Sequence, residues 1–139
     1  MSELRPFHLA IPVKEIQETR TFYREVMGFE EGRSSDRWVD FNFYGHQFVI
    51  HVVDDMIVSK INPVDGHAVP VPHFGVVLNR TDWDELASRL KMNKVEFDIE
   101  PYVRFEGQTG EQATMFFQDP SGNSLEFKSF KDDSQIFAV

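Results

Sequence analysis

One arrangement of residues occurs twice along the chain: a histidine at the head of a short apolar run that alternates like a β-strand. The first copy is Phe7 to Val13 with His8 at its head, and the second is His73 to Leu78. Each run is followed by a helical pattern and then by three more strand-like segments. We therefore predict an α+β protein built from two β-α-β-β-β modules.

The module boundaries follow from turn residues. We predict a single domain over residues 1–139, with a first module at 5–53, a linker at 54–71, a second module at 72–130 and a polar tail at 131–139. The linker is assigned because Pro63, Gly66 and Pro70 interrupt any periodic pattern there.

Within the modules, periodicity predicts individual elements. Helical spacing predicts a first helix from about Lys14 to Met27 that ends at Gly28, and a second helix capped by Thr81. The inner face of the second helix is predicted to be Trp83, Leu86, Ala87 and Leu90. Strands are predicted at 29–31, 37–43, 47–53, 94–99, 112–118 and 124–130.

Composition excludes several classes of function. The chain has 14 basic and 23 acidic residues and a formal charge of −9, which argues against binding to nucleic acid or to an anionic membrane. It has no cysteine, so disulfides and thiolate metal sites are excluded. No apolar run reaches the length of a membrane span, and the first residues lack the layout of a signal peptide. We expect a cytoplasmic protein that acts on a small molecule.

Three residues form the candidate metal site. His8 and His73 hold matching positions in the two modules, and pseudo-symmetric modules packed side by side bring matching positions together. Glu126 lies between apolar Leu125 and Phe127, so it faces the opposite side of its strand, where an unpaired carboxylate would be costly. Two histidines and a carboxylate can bind a divalent metal and leave positions open for substrate. The same set with one more ligand or a water would suit zinc, nickel, manganese or cobalt acting as a Lewis acid.

A fourth ligand is not evident in the sequence. Counted from the turn glycines, the position in the first module that matches Glu126 is Val49, which cannot bind a metal. His51 lies two residues further along the same face. It is a candidate ligand, acid/base or neighbouring group, and we assign it a catalytic role.

The chain resembles the glyoxalase / bleomycin-resistance / extradiol-dioxygenase superfamily, also called the vicinal oxygen chelate proteins, over about residues 5 to 130. The resemblance rests on the paired module order and on four segments: Thr21-Phe22-Tyr23, Val26-Met27-Gly28-Phe29, Pro72-His73-Phe74-Gly75 and Asp119-Pro120-Ser121-Gly122-Asn123-Ser124-Leu125-Glu126. It implies an eight-stranded curved mixed sheet, a cup with the helices outside. It also implies a metal held by His8, His73 and Glu126.

The resemblance further implies a metal-dependent enzyme whose small substrate chelates the metal through adjacent oxygen atoms. An extradiol-type dioxygenase with iron or manganese is the favoured subtype. The alternatives are a glyoxalase-like isomerase, lyase or epimerase, or a ligand-binding protein of the same fold. Members of this size commonly form homodimers, and a homodimer is expected here.

The polar stretch before strand 112–118 is a candidate flap over the metal. There Arg104 could bind an anionic oxygen of the substrate and Glu111 could act as an acid or base. We assign Arg104, Gln47, Gln112 and Phe116 to substrate binding.

Overall fold

The chain divides into two compact units, Met1–Val58 and Ser59–Val139. The computed structural model describes residues 3–56, 60–64 and 66–139. Among these residues, no helix is both long enough and apolar enough to cross a membrane.

The first unit contains one helix and a four-stranded mixed sheet. Its elements are β1 (His8–Val13), α1 (Ile16–Thr21), β2 (Glu30–Ser34), β3 (Trp38–Phe43) and β4 (His46–Val52). The strand order is β1-β4-β3-β2. Strand β1 is parallel to β4, and the other pairs are antiparallel.

The second unit repeats this pattern after an added hairpin. The hairpin is β5 (Lys60–Val64) and β6 (His67–Val71), followed by β7 (His73–Phe74), α2 (Arg80–Met92), β8 (Phe97–Arg104), β9 (Gln112–Gln118) and β10 (Ser124–Phe130). The strand order β7-β10-β9-β8, with β7 parallel to β10, matches the order in the first unit. The predicted fold class, α+β with two β-α-β-β-β modules, is therefore confirmed.

Each unit has its own buried apolar core. In the first unit Tyr23 is fully buried and its ring contacts those of Phe29, Phe41 and Phe48. In the second unit the predicted inner face of α2 is buried throughout. The indole Nε1 of Trp83 donates to the carbonyl oxygen of Phe127 at 2.9 Å, which ties the helix to β10.

Both helices begin at a cap that differs from the predicted start. Helix α1 starts at Ile16 because the Glu15 carboxylate accepts from the backbone N–H groups of Gln17 and Glu18. Past α1 the chain continues as one π-helical turn, Phe22–Val26. The prediction of Thr81 as a cap was wrong, because the Asn79 side chain accepts from the Asp82 N–H at 2.8 Å.

Prolines account for two further differences. The predicted irregular linker at 54–71 contains the β5–β6 hairpin, in which Pro63 and Pro70 are tolerated because neither strand pairs on its outer side. Strand β8 starts later than predicted and runs through Pro101 to Arg104. It lies at the edge of its sheet, and its register shifts between Ile99 and Tyr102.

The strand predicted from His73 to Leu78 is shortened to His73–Phe74, with an isolated bridge at Val77.

The first unit also contains an ion pair in which one carboxylate, that of Glu31, is bound by two arginines. Its contribution to stability should depend on pH. The Glu31 carboxylate accepts from Arg20 Nε at 2.8 Å and Nη2 at 2.6 Å, and from Arg24 Nη1 at 3.2 Å. The hydrogen bonds from Arg20 lower the pKa of Glu31 from its ordinary value of 4.5, against the opposing effect of burial. The ionised form therefore stabilises the fold above that value, and this stabilisation is lost as the pH falls through the lowered pKa.

We expect Glu31→Gln to lower the free energy of unfolding by about 1–2 kcal/mol at pH 7. The difference from wild type should shrink as the pH is lowered toward 3. Urea unfolding at several pH values measures it, with the exposed Glu30→Gln as the matched control. If the difference in the free energy of unfolding between Glu31→Gln and wild type does not change with pH, the lowered pKa of Glu31 is contradicted.

Candidate functional site

The imidazole of His73 is oriented by a backbone carbonyl. Its Nδ1 lies 2.7 Å from the carbonyl oxygen of Pro70. Because a carbonyl only accepts, Nδ1 carries the proton and Nε2 is directed away from the backbone. The ring also packs edge-on against Phe116, with 5.0 Å between centroids.

Glu126 lies directly opposite Nε2 of His73. Its Oε1 is 3.1 Å from His73 Nε2, and the Glu126 side chain is 7% exposed. Its Oε2 accepts a hydrogen bond from the hydroxyl of Thr114 at 2.5 Å and lies 4.0 Å from Lys128 Nζ. Both carboxylate oxygens are therefore held in place by neighbouring side chains.

The two groups favour each other's charged forms. The hydrogen bond to Glu126 raises the pKa of His73 above its ordinary value, although burial opposes this. Burial alone would raise the pKa of Glu126, but the hydrogen bonds from His73 and Thr114 outweigh it and hold that pKa below its ordinary value.

The pair opens into a cavity of about 170 Å³ within the second unit. Six of its lining residues are polar: His73, Tyr102, Arg104, Thr114, Glu126 and Lys128. The other four are apolar: Val64, Val69, Ile99 and Phe116. The cavity is thus lined by both charged and apolar side chains.

The strand registers of the two modules, β1 with β4 and β7 with β10, can be compared position by position. His8 pairs with Gln47 on β4, as His73 pairs with Ser124 on β10. Two residues further along, Val49 matches Glu126, as counting from the turn glycines predicts. Four residues further along, His51 matches Lys128.

The predicted site residues of the first unit do not form a cluster by themselves. His8, Gln47 and His51 are all exposed. His51 lies four residues along β4 from the partner of His8, a strand distance of about 13 Å. Its Nδ1 is 3.4 Å from the carbonyl oxygen of Val52. Within this unit, His8 is therefore adjacent to Gln47 and separate from His51.

The predicted site residues of the second unit fall into two groups. Arg104 and Phe116 line the cavity with His73 and Glu126. Gln112 and Glu111 do not line it. The amide of Gln112 donates to the Gly110 carbonyl at 3.2 Å. The carboxylate of Glu111 accepts from the Gly107 N–H at 2.7 Å and so closes the loop after β8.

The predicted flap is also different in form. Arg104 lies at the end of β8 and Gln112 at the start of β9, and they are paired in register. Only the residues between them form a loop.

Sequence reasoning missed several cavity residues, among them Thr114, Lys128 and Tyr102. Strand alternation could have found Lys128, which is two residues after Glu126 on the same face of β10, and Thr114, which is two residues before Phe116. No sequence signal indicated Val64 or Val69, because the hairpin that carries them was not predicted.

The donor atoms in the second unit suit a divalent metal. A metal ion would displace the proton that His73 Nε2 shares with Glu126, and an imidazole whose Nδ1–H is held by a carbonyl then presents the lone pair of Nε2, the usual arrangement of a metal-binding histidine. Two atoms bound side by side to one ion are about 3 Å apart, close to the 3.1 Å between His73 Nε2 and Glu126 Oε1. Among the described residues of either unit, no group of three histidine or carboxylate side chains is close enough to hold an ion. His73 and Glu126 are thus a pair that fits two positions of a metal site.

Thr114 is expected to affect metal binding without touching the ion. Thr114→Val removes the hydroxyl that orients Glu126 but keeps the shape of the side chain, so we expect metal affinity to fall by about 10- to 100-fold. Thr114→Ser keeps the hydroxyl and should remain near wild type. Calorimetric titration with Mn²⁺ measures both variants. Equal affinity in Thr114→Val and wild type would refute this role.

A family comparison covers nearly the whole chain. The model of the Glyoxalase/Bleomycin resistance protein/Dioxygenase superfamily matches residues 5–127. This range includes both histidine-led strands and Glu126.

Solved structures of similar fold agree with this match. A glyoxalase/bleomycin resistance protein/dioxygenase from Alicyclobacillus acidocaldarius is 33% identical over 96% of both chains, with a TM-score of 0.80. The genomically encoded fosfomycin resistance protein FosX of Listeria monocytogenes is 20% identical over 98% of this chain and 99% of its own, with a TM-score of 0.70. A lactoylglutathione lyase from Agrobacterium tumefaciens is 16% identical over 92% and 95%, with a TM-score of 0.66. At 20% and 16% identity, the last two structures show only that the fold is shared.

Proposed function

Because the chain belongs to the Glyoxalase/Bleomycin resistance protein/Dioxygenase superfamily, we propose that it is an enzyme that depends on a divalent metal. Its substrate would be a small molecule with two adjacent oxygen atoms. The observation that carries the proposal is the geometry of His73 and Glu126, whose Nε2 and Oε1 atoms lie 3.1 Å apart.

His8 is proposed as the third ligand. It takes the same place in the β1–β4 register as His73 takes in the β7–β10 register. Iron and manganese suit a set of two histidines and one carboxylate, and zinc, nickel or cobalt are also compatible with these donors. A bound divalent ion would supply Lewis-acid stabilisation of negative charge on the substrate oxygens.

The residues around the pair have distinct roles in this proposal. The Pro70 carbonyl and Thr114 hydroxyl fix the two ligands. Arg104 and Lys128 supply positive charge to an anionic substrate. Phe116 walls the cavity beside the His73 ring and limits access of water.

Two reaction classes fit this arrangement. The extradiol-type dioxygenase remains the first candidate, because two histidines and one glutamate leave positions for both substrate and oxygen. A glyoxalase-like isomerase, lyase or epimerase is the second. Lys128, with its Nζ 4.0 Å from Glu126, favours this class because a positive charge beside the substrate stabilises an enolate-like anion.

Metal-dependent turnover tests the proposal. Protein stripped with a chelator should be inactive on a panel of catechols and 2-oxo aldehyde adducts, and one divalent metal should restore activity. Oxygen uptake with iron supports the dioxygenase, whereas anaerobic turnover with nickel, zinc or cobalt supports the second class. Activity that is unchanged by stripping, and equal in His73→Ala, would overturn the proposal.

A further inference from the structure

The cavity beside His73 and Glu126 carries more positive than negative charge. Two cationic side chains, Arg104 and Lys128, line it against the single carboxylate of Glu126. The guanidinium of Arg104 lies over the ring of Phe105, 4.7 Å from its centroid. In a chain with a formal charge of −9, a local excess of positive charge favours an anionic ligand at this place.

The β5–β6 hairpin contributes Val64 and Val69 to the wall of the cavity. Val69 is 6% exposed and forms a buried cluster with Ile99 and Phe116, against which Val64 and Tyr102 pack. The ring of His67 lies 5.1 Å from that of Tyr102, which gives the hairpin a second contact with β8. The hairpin is an addition to the repeated module, because the first unit has no counterpart among its described residues.

The volume of the cavity limits what it can enclose. A cavity of about 150 Å³ is filled by benzene. The volume here is about 170 Å³, so it encloses about six to eight non-hydrogen atoms. A molecule with a phenyl ring as well as an anionic head exceeds this.

We propose that the substrate is a small organic anion whose charged group lies against Arg104 and Lys128 and whose short apolar end lies against Val64 and Val69. The hairpin therefore limits the length of the substrate. Within the hairpin, Val69 is the residue that determines which substrate length is accepted. This rests on the proposed function, because it takes this cavity as the substrate site.

Binding of four 2-oxo acids of increasing size tests the proposal: pyruvate, 2-oxobutyrate, 3-methyl-2-oxobutyrate and phenylpyruvate. Valine methyl resonances in ¹H–¹³C spectra report binding at Val64 and Val69 directly, with and without Mn²⁺. The three short acids should shift these resonances, and phenylpyruvate should bind at least about tenfold more weakly.

Variants should change this selectivity in opposite directions. Val69→Ala should improve phenylpyruvate binding at least about tenfold relative to pyruvate, and Val69→Leu should weaken 3-methyl-2-oxobutyrate more than pyruvate. Arg104→Gln should weaken all short acids about tenfold or more. Ile61→Ala is the matched control, since Ile61 is on the same hairpin but 58% exposed, and it should change nothing.

Equal binding of phenylpyruvate and 2-oxobutyrate to wild type would overturn the proposal. So would the failure of every short acid to bind, or full affinity in Arg104→Gln. The metal series separates this inference from the proposed function. If Mn²⁺ has no effect on affinity but selection by size remains, the metal proposal fails and the substrate class stands. If Mn²⁺ tightens binding but the acids are not selected by size, the metal proposal stands and the inference about substrate size fails.

Discussion

Glu126→Gln is expected to lower the affinity for divalent metal by more than about 100-fold and to abolish metal-dependent turnover. The substitution keeps the size of the side chain but removes the charge that a divalent ion requires. Removing a group that only orients a ligand already costs about 10- to 100-fold, so loss of a carboxylate that binds the ion, the role proposed for Glu126, should cost more. Calorimetric titration and steady-state turnover measure the two effects.

A matched carboxylate separates this effect from general loss of charge. Glu100→Gln, at an exposed position on β8, should bind metal as wild type does. The amide oxygen of Glu126→Gln can still accept a hydrogen bond from Thr114, so the variant should remain folded, which circular dichroism checks. Wild-type metal affinity in a folded Glu126→Gln protein would show that this carboxylate is not a ligand.

The second large effect is expected at Gly75, where two strands approach too closely for any side chain. A Cβ added there would lie 1.7 Å from the backbone carbonyl oxygen of Glu126 and 2.7 Å from its carbonyl carbon. Neither atom can rotate away, so Gly75→Ala must push β7 and β10 apart. The variant should lose about 3 kcal/mol or more of stability.

The same displacement should damage the site, because His73 and Glu126 are carried by the two strands that separate. If enough folded protein is obtained, its metal affinity should fall with its stability. Gly32→Ala is the control, since its Cβ would meet its nearest neighbour, Asp40 Cβ, at 3.4 Å. A Gly75→Ala protein as stable as wild type and with full metal affinity would contradict the close approach of the strands.

The elements that sequence reasoning predicted well are those fixed by local pattern. Strands β9 and β10 have the predicted bounds, because alternation and the turn at Asp119 to Asn123 leave little freedom. In that turn the Asp119 carboxylate accepts from the N–H groups of Ser121 and Asn123, both at 2.9 Å. The inner face of α2 followed in the same way from helical spacing.

The elements that were missed depend on neighbours distant in sequence. Proline predicts a break in a strand, yet Pro63, Pro70 and Pro101 are accommodated in edge strands that do not need every N–H. Whether a strand lies at an edge is a property of the assembled sheet and cannot be derived from local spacing.

The candidate site follows the same division. Pairing of His73 with Glu126 was predictable, since the repeated module places the two on neighbouring strands. Thr114 and Lys128 could have followed from strand alternation beside Phe116 and Glu126, whereas Val64 and Val69 required the hairpin. The placement of Glu111 in a loop contact with Gly107 could not be seen from its charge alone.

The central claim is that His73 and Glu126 bind a divalent metal, and metal content tests it most directly. Protein purified anaerobically should contain about one divalent ion per chain by elemental analysis. His73→Ala purified in the same way should contain a small fraction of that amount. A wild-type protein that binds no ion after equilibration with iron, manganese, zinc, nickel and cobalt, or a His73→Ala variant with equal metal content, would contradict the claim.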